Sequence, residues 1–197
     1  MTALFKKLNF KDHKQILVVN APQSFGEELS LMEESTQVVQ SIEEAGEIEF
    51  TLGFVIDQVA IENFIHSIQA KSVADPIVWI AYPKAGSKKY TCAFNRDTGF
   101  GILGEYGFEG VRQVAIDEDW SALRFRRVNH IKNITRKESF ALTKEAKERT
   151  SQKGIWRKFC SLTTDWIIGY FFSSSSQIFI NNEGEIYPRI QNKGKKW

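Results

Sequence analysis

Hydrophobic positions fall in short unbroken runs through the first two thirds of the chain. Residues 15–20 read QILVVN, an apolar, β-branched run stopped by Ala21 and Pro22. Continuous rather than alternating apolarity fits a strand covered on both faces, as in a parallel sheet. A short helix is predicted at 25–32, with Phe25 and Leu29 on one side, and a weak strand at 37–41. A stronger strand spans 49–56 and stops at Asp57, whose carboxylate can cap the next helix. Across 58–72, Ile61, Phe64, Ile65 and Ile68 recur at helical spacing as one apolar stripe. His66 lies off that stripe and reads as a solvated helix residue.

The run PIVWIAY at 76–82 gives another buried-type strand, and PKAGSKK at 83–89 a loop. A helix is then expected from a cap at Asp97 to Gly107, where glycine suits a helix stop. Strands are predicted at 110–116 and 121–128. The turn between them is too short for a parallel crossover, so they must be antiparallel neighbours. In the second, Leu123 and Phe125 face one way and Arg124 and Arg126 the other, a pattern suited to a sheet edge.

Strand and helix alternate and end in a hairpin. This predicts an α/β domain over residues 1–150: an open, mostly parallel, Rossmann-like sheet with helices on both faces and a C-terminal antiparallel hairpin. Pattern alone leaves the strand order open.

Residues 151–197 differ in kind. They contain no alanine and no valine, against 13 and 11 in the first 150, and they hold three of the five tryptophans. No helical or strand period is sustained through them. Two readings stand: an add-on that docks its aromatics on the domain, or an atypical, non-native and poorly ordered extension from a shifted or read-through frame.

Composition narrows the class further. Cys92 and Cys160 form no CxxC pair, so neither a disulfide framework nor a zinc site is expected. Free thiols suit a reducing compartment, and a cytoplasmic location is the expectation. The N-terminus lacks the apolar run of a signal peptide. The stretch 159–180 contains Asp165 and four consecutive serines, so it reads poorly as a membrane span.

The net charge of +2 conceals a split: 10 basic and 18 acidic side chains in 1–123, 16 and 6 in 124–197. From Arg124 to Lys158 there are 12 lysines and arginines against 3 glutamates. Such a segment can neutralise phosphates, which keeps a nucleic-acid or acidic-protein adaptor as one alternative function. Aromatics are sparse within it, and a solvated helix is the plainer reading.

Ligands of open α/β sheets sit outside the carboxyl ends of the strands. That rule selects three loops: 20–24, 82–89 and 117–121. In the second, Lys84, Ser87, Lys88 and Lys89 surround Gly86, and glycine lets backbone amides approach an anion. Arg96 follows just before the predicted helix. The candidate ligand residues are therefore Asn20, Lys84, Ser87, Lys88, Arg96 and Trp120, around a small anionic ligand. The plainer alternative is a solvated surface loop.

Gly99, Gly101 and Gly104 match GxGxxG by letter, but the dinucleotide fingerprint needs them in a strand-to-helix turn. They fall instead in the predicted helix, so no nicotinamide, flavin or other cofactor is expected. Asp117, Glu118 and Asp119 lack the spacing of a calcium loop and read as turn residues pairing with Arg112 or Arg124. No nucleophile-and-base pair is visible around the three histidines, and no catalytic residue or metal is assigned.

The runs AYPKAGSKK at 81–89, NRD at 95–97 and VRQVAIDEDWSALRFR at 111–126, with LVVNAP at 17–22, resemble the bacterial group filed as domain of unknown function 3052. The likeness covers about residues 4–150, and DEDWSALRF is its most specific part. It implies a small cytoplasmic bacterial protein and supplies no reaction and no catalytic residues. It also implies that the chain past Thr150 departs from the group's pattern. The terminal hairpin resembles methyltransferase-like folds at the level of fold, so a degenerate methyltransferase-like protein is a further alternative. The glycine-rich first loop and following acidic residue that hold the methyl donor in that class are missing.

Overall fold

The computed structural model describes residues 1–95, 98–135, 137–152, 178–180 and 186–188. The chain divides into two units, 1–152 and 153–197. In chain order the first contains α1 (Ala3–Lys7), β1 (Gln15–Val19), α2 (Gly26–Glu33), β2 (Gln37–Val39), β3 (Ile48–Phe54), α3 (Gln58–Gln69), β4 (Ser72–Pro83), α4 (Gly101–Glu105), β5 (Phe108–Ala115) and β6 (Trp120–Arg127). Residues 144–152 are helical. In the second unit, β7 (Ile178–Ile180) and β8 (Ile186–Pro188) pair antiparallel. The remaining expectations about the tail, including Cys160, lie outside the described residues.

The sheet order is β2-β1-β3-β4-β6-β5. The first four strands run parallel, while β6 is antiparallel to both β4 and β5. The expected class therefore holds: an open, mostly parallel α/β sheet closed by an antiparallel hairpin.

Successive residues of each inner strand enter opposite cores, which explains the continuous apolarity. Leu17, Val78, Ile80 and Leu123 join Ile61, Phe64, Ile65 and Ile68 of α3 and Leu103 of α4. Ile16, Val18, Leu52 and Trp79 join Phe5 of α1, Leu8 and Phe10 just after it, and Leu29 and Met32 of α2. Helices thus cover both faces. Gly53 is where β3 meets α3: a Cβ there would lie 2.6 Å from the Phe64 ring.

Three features differ from the sequence expectation. β6 is not an edge; it lies between β4 and β5, and β5 takes the outer place. Leu123 and Phe125 are buried while Arg124 and Arg126 stay partly exposed, an alternation that pattern cannot separate from an edge. The helix expected to reach Gly107 from Asp97 is only α4, with Phe100 in the N-cap place. Asp97 itself lies outside the described residues. Gly107 does end that helix, at φ 76°. Finally, α1 forms where the pattern marks no element, because five residues are too few to show a period.

The link from β2 to β3 has no helix. It passes Ile42 and the buried Ala45 over the α3 face. Lys71, just past α3, donates its Nζ to the carbonyls of Ile42, Glu43 and Ala45 at 2.7, 2.9 and 2.8 Å. One ammonium supplies the donors that a helix would have provided internally.

Candidate functional site

Parallel pairing sets the carboxyl ends of β1, β3 and β4 on one rim: Val19 is level with Gly53, and Gly53 with Ile80. Because β6 runs the other way, Pro83 pairs with Trp120, and the β5–β6 turn joins the same rim. The three loops selected from sequence therefore share an edge.

The 83–89 loop is clasped by that turn. Lys84 donates its main-chain N to the Asp119 carbonyl at 2.7 Å and its Nζ to the Asp117 carbonyl at 2.6 Å. Ser87 Oγ donates to Asp119 Oδ1 at 2.8 Å and accepts from the amides of Lys89 and Tyr90 at 3.2 and 3.1 Å. Lys89 Nζ lies 3.4 Å from Asp119 Oδ2. Asp117 Oδ1 accepts from the amides of Asp119 and Trp120 at 2.8 and 2.7 Å, closing an Asx-type turn. The acidic triplet is a turn element, as expected, but its partners are Ser87 and Lys89, not Arg112 or Arg124.

Beyond the clasp, the chain crosses the end of β3, where Ala93 N donates to the Ile56 carbonyl at 3.1 Å. Beneath lies a cavity of about 590 Å³, bordered by Tyr82, Lys84, Ser87, Cys92, Phe94, Gln113 and Ser121 among others. That volume suits a small organic ligand. Gln113 Nε2 donates to the Tyr82 hydroxyl at 3.1 Å. Among the described lining residues Lys84 is the one formal cation, and there is no histidine or carboxylate. Burial, aided by the Asp57 carboxylate, pushes the Cys92 thiol up, so it is a poor nucleophile at neutral pH. This set can bind and orient a polar molecule.

Of the six candidate residues, Lys84 and Ser87 line the cavity. Lys88 is exposed beside it. Trp120 is 3% exposed, its ring between Phe54 and Tyr90 at centroid distances of 5.1 and 4.9 Å. It belongs to the core beneath the rim. Asn20 stands two strands from β4, at the end of β1, and Arg96 lies outside the described residues. Sequence reasoning missed Gln113, and it reached Tyr82 and Ser121 only as the ends of the selected loops 82–89 and 117–121, not as site residues. Their only signal was polarity at strand positions, which becomes a site only once β4, β5 and β6 are known to be adjacent.

Of the GxGxxG glycines, Gly99 and Gly104 serve packing, while an added Cβ at Gly101 would meet nothing within 4 Å. A Cβ at Gly99 would meet the Phe94 ring at 2.2 Å, and one at Gly104 the Leu142 carbonyl oxygen at 2.5 Å. The basic stretch 124–158 is described over 124–135 and 137–152. It enters β6, passes a 3-10 turn at Val128–His130, and is helical at 144–152. Among the described residues no cluster of three or more histidine, cysteine or acidic side chains could hold a metal. None of their helices is long and apolar enough to cross a membrane.

No family model matches the chain. No curated protein matches it in sequence. Among solved structures it is similar to a SAM-dependent methyltransferase from Aquifex aeolicus, with 12% identity, 64% of this chain and 88% of that one covered, and a TM-score of 0.44. It is also similar to the B. subtilis M1A22 tRNA methyltransferase TrmK, with 8% identity, 88% of each chain covered and a TM-score of 0.40. A protein of the NADB-Rossmann superfamily from Streptococcus agalactiae matches at 14% identity over 86% of this chain and 87% of that one, with a TM-score of 0.40. At these values the likeness concerns the fold.

The turn after β1 reads Asn20, Ala21, Pro22, Gln23, without a glycine, and Pro22 has no N–H to offer. Asn20 is left-handed at φ 56° but carries a side chain where close approach needs none. These residues do not fit a nucleotide-type cradle.

Proposed function

We propose that the domain is a small-molecule-binding α/β module whose ligand enters the carboxyl-rim cavity beside Tyr82, Lys84 and Ser121. What supports this reading is the convergence of the β4 loop and the β5–β6 turn over one polar cavity. The ligand is polar and carries at most one negative charge. Lys89 already faces Asp119, and the Lys84 ammonium is held in place by the Asp117 carbonyl, so the loop offers less free and mobile positive charge than its three lysines suggest. The resemblance to the uncharacterised bacterial group names kin for the proposal and no ligand.

A thermal-shift and calorimetric screen of small monoanions and neutral polyols tests it. The expected hit raises the Tm in a saturable way and is lost in Thr91→Trp, which fills the mouth at an exposed position. No hit, or a hit indifferent to Thr91→Trp, defeats the reading.

A second reading is a degenerate methyltransferase-like protein with residual affinity for S-adenosylmethionine at the switch point between β1 and β3. The strand order and the left-handed Asn20 beside that crevice favour it. The turn's lack of glycine opposes it. Titration calorimetry with S-adenosylmethionine decides: absence of binding heat removes this reading.

A further inference from the structure

The opposite rim carries a second concave site. At the end of β6, three arginines meet three different fates. Arg126 forks onto Asp75, with Nε 2.9 and 3.0 Å from the two carboxylate oxygens. Arg127 lies over the Phe108 ring, 5.2 Å from its centroid, and though its Nε is also buried without an acceptor, its charge faces that ring. Arg124 is half-buried and has no hydrogen-bond or ion-pair partner among the described residues, and its Nε is sealed from solvent without an acceptor.

Arg124 borders a groove of about 500 Å³ at the amino ends of β3 and β4, facing Lys11, His13, Glu49, Asp75 and Arg126. A guanidinium cannot shed its charge at physiological pH, so a buried one calls for an anion. Burial, Arg126 and Arg112 all work against the charge on Arg124, and Asp75, which favours it, is already engaged by Arg126. Burial also lowers the pKa of His13, which favours its neutral form on that wall. Backed by Lys11, the groove holds an uncompensated cation in a concave place, with donors arranged as a planar fork.

We propose that this groove is an oxyanion site, in which a carboxylate or phosphate group of a small molecule docks end-on against the two terminal nitrogens of the Arg124 guanidinium. Glu49 on the wall disfavours a bulky polyanion and leaves room for a single oxyanion group. The site stands on the rim away from the cavity of the proposed function, so the two readings can fail separately.

The test uses the full chain and two probes, inorganic phosphate and benzoate, each titrated against chloride at constant ionic strength. The arginine Nε–H resonances are followed by NMR. The expected result is a saturable shift of the Arg124 signal with one or both probes. Phosphate alone assigns a phosphate-type ligand and benzoate alone a carboxylate-type one; either supports the site. Affinity falls at least about tenfold in Arg124→Lys, which keeps the charge and loses the fork. Lys11→Gln, at an exposed position, weakens binding about threefold and guards against misfolding of the arginine variant. Thr91→Trp changes nothing here. Absence of a saturable shift with both probes, or affinity unchanged in Arg124→Lys, overturns the proposal.

Discussion

The two rims of the sheet look alike in a count of charges and differ in what those charges are doing. At the carboxyl rim a loop with three lysines lies against a turn with three acidic residues, and one lysine, Lys89, pairs with a carboxylate. The turn at 117–119 takes up Lys84, Ser87 and Lys89 in hydrogen bonds and one ion pair. At the amino rim Arg126 and Asp75 cancel in the same way, but Arg124 beside them finds no counterpart. The lesson is that available charge, not formal charge, marks a binding place. A lysine-rich loop can be electrostatically quiet while a single half-buried arginine is not.

The comparison breaks most completely if the shared scaffold is lost. Trp79 is fully buried in β4, in register with Leu52 and Arg124, and its indole Nε1 donates to the Leu8 carbonyl at 2.7 Å. That bond ties down the chain that brings Asn9, Lys11 and His13 to the amino rim. Trp79→Ala is expected to cost about 3–5 kcal/mol in urea unfolding. Trp79→Phe keeps most of the ring and loses the bond, at about 1–2 kcal/mol. If Trp79→Phe matches the parent in stability and in groove binding, the Leu8 tether is not what shapes that rim.

How far the sequence reveals this depends on the kind of fact. Strands β1, β3 and β4 and helix α3 are legible because burial writes itself as period: unbroken for inner strands, helical for Ile61 to Ile68. The Asp57 cap reads directly, since its carboxylate accepts from Ala60 N at 2.7 Å. The sharing of one rim by three loops also follows from strand direction. Hidden were the neighbours. Nothing local tells Asp119 that it meets Ser87, 32 residues away, or Arg126 that it meets Asp75, 51 residues away. Arg124 and Arg126 look equivalent in sequence, and only the fold separates the paired one from the unpaired one.

A middle-sized test sharpens the amino rim. Asp75→Asn removes the carboxylate that Arg126 holds. The hydrogen bond from Arg126 keeps the Asp75 carboxyl below the usual carboxylate range. A depressed folded-state pKa stabilises the protein above the unfolded value near 4, and the contribution is lost as pH falls through the lower folded value. Both side chains are about a third exposed, so solvent screening limits the gain to about 1 kcal/mol. The gap between parent and variant in urea unfolding should hold from neutral pH to about pH 5 and close in stronger acid. The variant should also bind benzoate more tightly, because Arg126 is released to stand beside Arg124. A gap independent of pH would mean that Asp75 acts through packing alone.

The smallest expected effect lies at the carboxyl rim, and it asks whether the quiet loop can be made active. Asp119→Ala removes the acceptor of Ser87 Oγ and the partner of Lys89, while Lys84 keeps its bond to the Asp119 main-chain carbonyl. The ion pair is largely exposed on the lysine side, so the stability cost should be no more than about 1 kcal/mol. Released from Asp119, Lys89 and the Ser87 hydroxyl become free donors next to the cavity mouth. Phosphate should then shift the amide resonances of the 84–90 loop, which stay still in the parent under the same conditions. If the parent loop already responds to phosphate as strongly as the variant does, the clasp does not silence its cations, and the distinction between the two rims disappears.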